Sequence, residues 1–312
     1  MTHRFSQWMD SGLAWIKLGR FPFLLSGLLL HSLGVVMAVH AGAKLNLVAF
    51  LWGQIAVTTT QLMTHYANDY FDVRADQANQ TPTNWSGGSR VLVESRLQPK
   101  VALFTALVFA GLALGATIVL SVFIRPDLGT WVVLLTAQLL AWFYSAPPVQ
   151  LHSRGLGELT TAIIVTLLTP LIGYYLQAGQ IDMLPLLAML PLCCLQVAML
   201  LAIEFPDVDS DRLVNKRTLV VRWGDNAVKL WAAILVLTYV MLPLLVWAGL
   251  PLVIALAAAA PFPLALGLLW HMSRGDWQQP AKWNALGFYS IVLLMLTATA
   301  ELGAFVFLIG TA

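Results

Sequence analysis

The sequence predicts an all-α, polytopic membrane protein: nine transmembrane helices in a bundle with a polar site on the cytoplasmic side. Three observations carry that expectation. The 312 residues are 59% hydrophobic and 10% charged, against about 45–50% apolar and about 25% charged in ordinary soluble domains. The 17 Lys+Arg and 15 Asp+Glu cannot coat a soluble surface of this size. Nine stretches reach the roughly 20 mostly apolar residues a membrane helix requires, and the basic residues between them fall almost entirely on one side.

The first stretch, 21–41, follows Arg20, with Pro22 at a position tolerated near a helix start. The second, 45–67, leads into an acidic segment. Stretches 100–123 and 129–146 follow, then 157–178 and 183–204. The seventh and eighth, 228–248 and 250–271, are separated by little more than Gly249-Leu250-Pro251, which demands a tight turn; 284–310 completes the set. The N-terminal arm (Arg4, Lys17, Arg20) and the loops after the even-numbered stretches hold 15 of the 17 basic residues, and the opposite side holds Lys44 and Arg125. Positive charge stays inside, so the N-terminus is expected in the cytoplasm and the C-terminus outside. The opening MTHRFSQWMDSG lacks a secretory signal pattern.

No linker or low-complexity tract divides the chain, which reads as one integral-membrane domain over 1–312, embedded in a lipid bilayer. The two cysteines, Cys193-Cys194, are adjacent and imply no disulfide framework. A formal net charge of +2 gives no reason to expect nucleic acid as a partner. Residues 68–99 and 205–227 are long, polar and on the cytoplasmic side, so chemistry is expected there.

Seven of the 15 carboxylates lie in two short segments, His65–Asp76 and Glu204–Arg212. Asp69, Asp72 and Asp76 are spaced i, i+3, i+7, and so are Glu204, Asp207 and Asp211. On a helix such positions share one face. Pro206 interrupts the second stripe and is expected to end or kink the helix near Phe205, which ranks Asp207 and Asp211 above Glu204; Asp209 falls off the stripe. A solvated acidic loop or helix capping would account for one such aspartate, less readily for two stripes of identical spacing. Carboxylates at the mouth of a membrane bundle are costly unless functional. Oxygen donors without a His or Cys cluster point to Mg²⁺. Arg90, Arg96 and Lys100 follow the first stripe, and Lys216, Arg217 and Arg222 follow the second. Metal-binding carboxylates beside Lys and Arg suit a diphosphate, and Gly87-Gly88 lets backbone amides approach phosphate. A transporter or cation channel would instead put carboxylates near the bilayer midplane.

Four segments, NDYFDVRAD at 68–76, SGGSRVLVES at 86–95, YSAPPVQLHSRGLGEL at 144–159 and DVDSDRLVNKRTLVVRWG at 207–224, resemble the UbiA-type superfamily of intramembrane aromatic prenyltransferases. Within it they look most like the 1,4-dihydroxy-2-naphthoate polyprenyltransferases of menaquinone synthesis. The resemblance implies a bacterial or archaeal plasma-membrane enzyme that transfers a polyprenyl group from a polyprenyl diphosphate to an aromatic acceptor. It implies Mg²⁺ held by Asp69, Asp72, Asp207 and Asp211, with Asp76 completing the acidic set. Asn68, Arg90, Lys216, Arg217, Arg222 and Tyr144 are the expected substrate-binding residues. Family members often carry an Arg near the Thr-Pro after the first motif; here Asn79-Gln80-Thr81-Pro82 lacks it, and Arg90 is the expected substitute. Tyr70, Trp142 and Tyr144 are candidates to face an allylic cation, and His65 is a candidate base. His31, His40, Gln138 and Gln196 read as helix–helix hydrogen-bonding groups. Glu158 reads as favouring the start of its own helix or serving the acceptor, and Glu301 as a packing or outer-interface group.

Overall fold

The computed structural model describes residues 12–311, all without strands; Arg4, counted above toward orientation, lies outside them. Its long helices are α1 Phe21–His40, α2 Leu47–Phe71, α3 Pro99–Ile124, α4 Leu128–Ser145, α5 Gly157–Ala178, α6 Met183–Glu204, α7 Leu219–Trp247, α8 Leu252–Ser273 and α9 Pro280–Thr311. Among the described residues eight helices are long and apolar enough to cross a membrane, and α2 is not among them. Its 25 residues include four threonines, two glutamines, His65, Asn68 and Asp69. Thr59, Thr60 and Thr64 bond back to carbonyls one turn earlier, which satisfies their hydroxyls without a partner helix.

Prolines set most of the irregularities. α6 gives way at Glu204 to a 3₁₀ turn, Phe205–Asp207, and then to a short helix Val208–Leu213, as Pro206 requires. α7 breaks at Met241 just before Pro243. α5 widens into a π-helical segment, Ala162–Leu168, ahead of Pro170. α7 also starts nine residues before the expected 228, because Arg222, Asp225 and Lys229 depress the hydropathy of its first turns.

α1 crosses α5 at backbone contact distance. A Cβ on Gly34 would overlap the Pro170 carbonyl, and one on Gly173 would overlap the His31 carbonyl. Small residues permit such approach where lipid offers no hydrophobic drive to hold helices together. Gly173→Leu is therefore expected to separate the two helices and to abolish the monodisperse size-exclusion peak of detergent-solubilised protein, whereas Gly303→Leu, at a position with open space, should leave it intact.

Helices α2, α4 and α6 finish at one end of the bundle. There the short helix Val73–Ala78, the turn Leu151–Arg154 and the helix Val208–Leu213 gather, and Val73–Ala78 packs on Val208–Leu213. A small second core, with Ala14, Leu18, Tyr66 and Val91 at its centre, supports this end from the α1 side. Away from it, α9 buries Glu301 completely, its carboxyl oxygens without a partner among the described residues.

Candidate active site

The two acidic stripes meet. α2 ends at Phe71 and Asp72 caps it; the Asp72 N–H still donates to the Asn68 carbonyl and the Asp76 N–H to the Asp72 carbonyl, so the helical spacing survives a bend in the chain. Lys216 Nζ sits 3.2 Å from Asp72 Oδ2 and 3.5 Å from Asp211 Oδ1, which joins the first stripe to the second through one ammonium. Asn215, in the left-handed region at φ 60°, turns the chain so that Lys216 faces inward. From the other side Asn79 Nδ2 donates to Asp207 Oδ1 at 2.7 Å and the Gly87 N–H to Asp207 Oδ2 at 3.3 Å.

Asp69 and Asp72 each have their own neutralising contacts. Asp69, 2% exposed, accepts from Arg20 Nη2 at 2.5 Å and from the Ser89 hydroxyl and N–H. Asp72 accepts from His152 Nε2 at 2.6 Å and from Asn68 Nδ2 at 3.1 Å. Arg90 donates to the Asp76 carbonyl. Gly88, at φ 73°, lies so close to the Asp76 carboxylate that a Cβ there would overlap it, which explains a glycine at this position.

Burial opposes the Asp72 charge, but Lys216 and then His152 hold it below the ordinary carboxylate range. Burial likewise opposes charge on Lys216, yet Asp72 and Asp211 raise it well above the usual lysine value. Asp76 goes the other way: burial first, then Asp69 and Asp72 beside it, push it up to about 8. A raised carboxyl pKa means the folded chain binds more protons than the unfolded one between about pH 4 and about pH 8, so stability declines as pH rises through that window. Asp72 acts oppositely, but only below about pH 4. The metal-free protein is thus expected to melt at a lower temperature at about pH 8.5 than at about pH 5.5, with the difference reduced in Asp76→Asn.

Two expected residues, Arg217 and Arg222, stand apart from this cluster, as does Asp209, which falls off the stripe. Arg217 is exposed, because the turn that sends Lys216 inward sends its neighbour out. Arg222 donates to the carbonyls of Arg154 at 2.5 Å and Arg217 at 3.1 Å, clamping two loops rather than reaching a carboxylate. Asp209 is 98% exposed and pairs with Arg212 at 3.7 Å. Tyr70 and Trp142 pack with Phe71 around the second core. Glu158 accepts from the Leu219 N–H at 2.6 Å, so it caps α7 rather than its own helix, and it lies beside Glu204. His65 Nδ1 bonds to the Gly19 carbonyl at 2.8 Å.

Beneath the carboxylates lies a cavity of about 590 Å³. Arg20, His65, Asn68 and Tyr144 line it, together with Phe23, Trp85 and aliphatic side chains of α4, α5, α6 and α9. Trp85 is held across its rim by a 3.0 Å bond from its indole N–H to the Asn284 carbonyl, and Asn84 N–H bonds to the Asn284 side chain.

Among the described residues no three His, Cys, Asp or Glu side chains form a ready-made metal cage. The donor set nonetheless fits Mg²⁺, which takes one or two carboxylates and completes its octahedron with water and phosphate oxygens. Facing carboxylates with cations between them suit a metal that arrives with a diphosphate.

Residues 28–309 match the UbiA prenyltransferase family. The 1,4-dihydroxy-2-naphthoate octaprenyltransferase of Bacillus subtilis (strain 168) is 27% identical over 220 residues, 70% of this chain and 68% of that protein. The enzyme of the same name from Mycobacterium tuberculosis (strain ATCC 25618 / H37Rv) is 31% identical over 209 residues, 63% of this chain and 68% of its own. A solved UbiA homolog from Archaeoglobus fulgidus, bound to DMAPP and Mg²⁺, superposes with a TM-score of 0.60 at 13% identity, covering 92% of this chain and 98% of that one. The apo UbiA homolog from Aeropyrum pernix K1 gives 0.66 at 14% identity, covering 88% and 96%.

Proposed function

We propose, from the premise that this chain belongs to the UbiA prenyltransferase family, that it transfers a polyprenyl group from an allylic prenyl diphosphate to 1,4-dihydroxy-2-naphthoate. The observation that carries this reading is Lys216 bridging Asp72 and Asp211, which draws both motifs to one rim above an apolar cavity. The naphthoate acceptor is supported by the names of the sequence relatives.

Asp69, Asp72, Asp207 and Asp211, with Asp76, would hold magnesium. Bound there, the metal supplies positive charge against the departing diphosphate. Lys216 and Arg20 stand beside these carboxylates, Arg90 reaches the Asp76 main-chain carbonyl, and these three would bind the remaining phosphate oxygens once the diphosphate enters. Asn68 holds Asp72, and His152 holds its other oxygen, so the carboxylate is oriented before substrate arrives. Tyr144, Phe23 and Trp85 offer ring faces toward the allylic carbon, and the aliphatic wall keeps water from quenching it. The 15-to-2 distribution of basic residues supports this rim facing the cytoplasm, with the C-terminus outside.

The test is an assay of detergent-solubilised protein with farnesyl and longer diphosphates, Mg²⁺ and a panel of aromatic acceptors. Naphthoate prenylation that stops with EDTA is expected. Preference for another acceptor overturns the substrate, and activity unchanged by EDTA overturns the metal.

A further inference from the structure

Of the three glutamines that line the cavity, Gln196 behaves unlike the other two. Gln61 Nε2 donates to the Phe23 carbonyl at 3.2 Å, and Gln138 Nε2 donates to Thr117 Oγ1 at 2.7 Å and to the Ala113 carbonyl at 3.2 Å. These are the helix–helix bonds expected of glutamines in a membrane bundle. Gln196 is only 3% exposed, lines the cavity, and makes no hydrogen bond among the described residues. Its carboxamide opens onto the cavity and not onto a neighbouring helix, and a hydrocarbon chain filling that space would leave it without a hydrogen-bond partner.

Its depth indicates the missing partner. Gln196 lies eight residues before Glu204 on α6, about 12 Å below the rim at 1.5 Å per residue. Gln138 lies seven residues before Ser145 on α4, about 10 Å below the same end, and lines the same cavity. Carboxylate–metal and metal–phosphate contacts of about 2 Å each and a near-attack contact of about 3–3.5 Å, with the covalent bonds between them, bring the far edge of an aromatic ring to about this level.

Resting on the proposed function, we infer that Gln196 anchors the aromatic acceptor: its carboxamide hydrogen-bonds a ring oxygen of the acceptor and so fixes which ring carbon meets the allylic carbon. The Gln138 carboxamide oxygen, whose amide nitrogen is already engaged, lies at the same level for a second hydroxyl.

Steady-state kinetics test this with 1,4-dihydroxy-2-naphthoate and the two analogues that each lack one ring hydroxyl. Gln196→Met, close in volume but without hydrogen-bonding capacity, is expected to raise the acceptor KM about tenfold or more and to leave the prenyl diphosphate KM unchanged. For one of the analogues, the difference between wild type and Gln196→Met should shrink to less than about twofold. Equal losses for all three acceptors, a change confined to the prenyl diphosphate KM, or unaltered kinetics each overturn the inference. If Gln196→Met does not accumulate, wild-type enzyme decides: it should bind the complete acceptor about tenfold more tightly than one analogue, and equal affinity for all three overturns the assignment. Wild-type enzyme that prenylates no aromatic acceptor refutes the proposed function itself, a separate result from an active enzyme indifferent to Gln196.

Discussion

Lys216→Ala is expected to lower turnover at saturating substrate by at least about 10²–10³-fold and to destabilise the metal-free protein at the same time. Among the described residues Lys216 is the one cation paired with both Asp72 and Asp211, at 3.2 and 3.5 Å, and it is only 16% exposed. Removing one partner of a buried charge cluster leaves the others uncompensated, a cost of about 3–5 kcal/mol in comparable cases. Magnesium with a diphosphate analogue supplies the missing positive charge, so it should raise the melting temperature of Lys216→Ala by more than it raises that of wild type. Lys216→Arg is expected to recover stability better than turnover, because a planar fork does not replace a compact ammonium between two carboxylates. A melting temperature unchanged in Lys216→Ala would show that the ion pairs contribute nothing to the fold.

Asp72→Asn and Asp207→Asn are each expected to reduce turnover by about 10³-fold or more while the protein still folds. The two residues sit at the ends of different helices, Asp72 capping α2 and Asp207 in the turn after α6, and contact different partners: Asp72 meets Lys216, His152 and Asn68, and Asp207 meets Asn79 and the Gly87 N–H. Asparagine keeps one acceptor oxygen of nearly the same shape, and it loses the charge together with one accepted hydrogen bond, since both oxygens of each aspartate accept. Asp209→Asn is the control: at 98% exposure, with Arg212 as its partner, it should stay within about twofold of wild type. Normal turnover in either of the first two variants would remove that residue from the site.

The acidic stripes could be read in the chain because their spacing is local. An i, i+3, i+7 set shares a face whether the helix is continuous or, as at Asp72, bends and resumes. The kink at Pro206 was equally local, since the missing N–H acts on its own helix. The partners of the carboxylates were not legible, because they come from tertiary approach. His152 lies 80 residues from Asp72 and Arg20 lies 49 from Asp69; Arg20 counted in the sequence only as a topology marker. His152, Ser89 and Glu158 lay inside segments that carried the family resemblance, and a buried histidine or serine close to a charged motif was the available signal. Arg222 illustrates the opposite failure: basic residues after an acidic motif suggest phosphate, yet the guanidinium caps carbonyls of Arg154 and Arg217. Gln196 read as a helix–helix hydrogen-bonding group, and only the packed bundle reveals that it lines the cavity. The start of α7 was misplaced because hydropathy registers Arg222, Asp225 and Lys229 as a loop although the backbone is helical through Leu219–Trp223.

The central claim is that two motifs, more than 120 residues apart in the chain and linked through Gly87 to Asp207, bind one magnesium diphosphate. A double-mutant cycle addresses it most directly: titration calorimetry of a non-hydrolysable prenyl diphosphate analogue with Mg²⁺ against wild type, Asp72→Asn, Asp207→Asn and the double variant. One shared site requires strong non-additivity, so the double variant should bind about as weakly as the weaker single variant. Losses that multiply, with each substitution contributing its full factor in the presence of the other, would mean that the motifs act separately and would contradict the account.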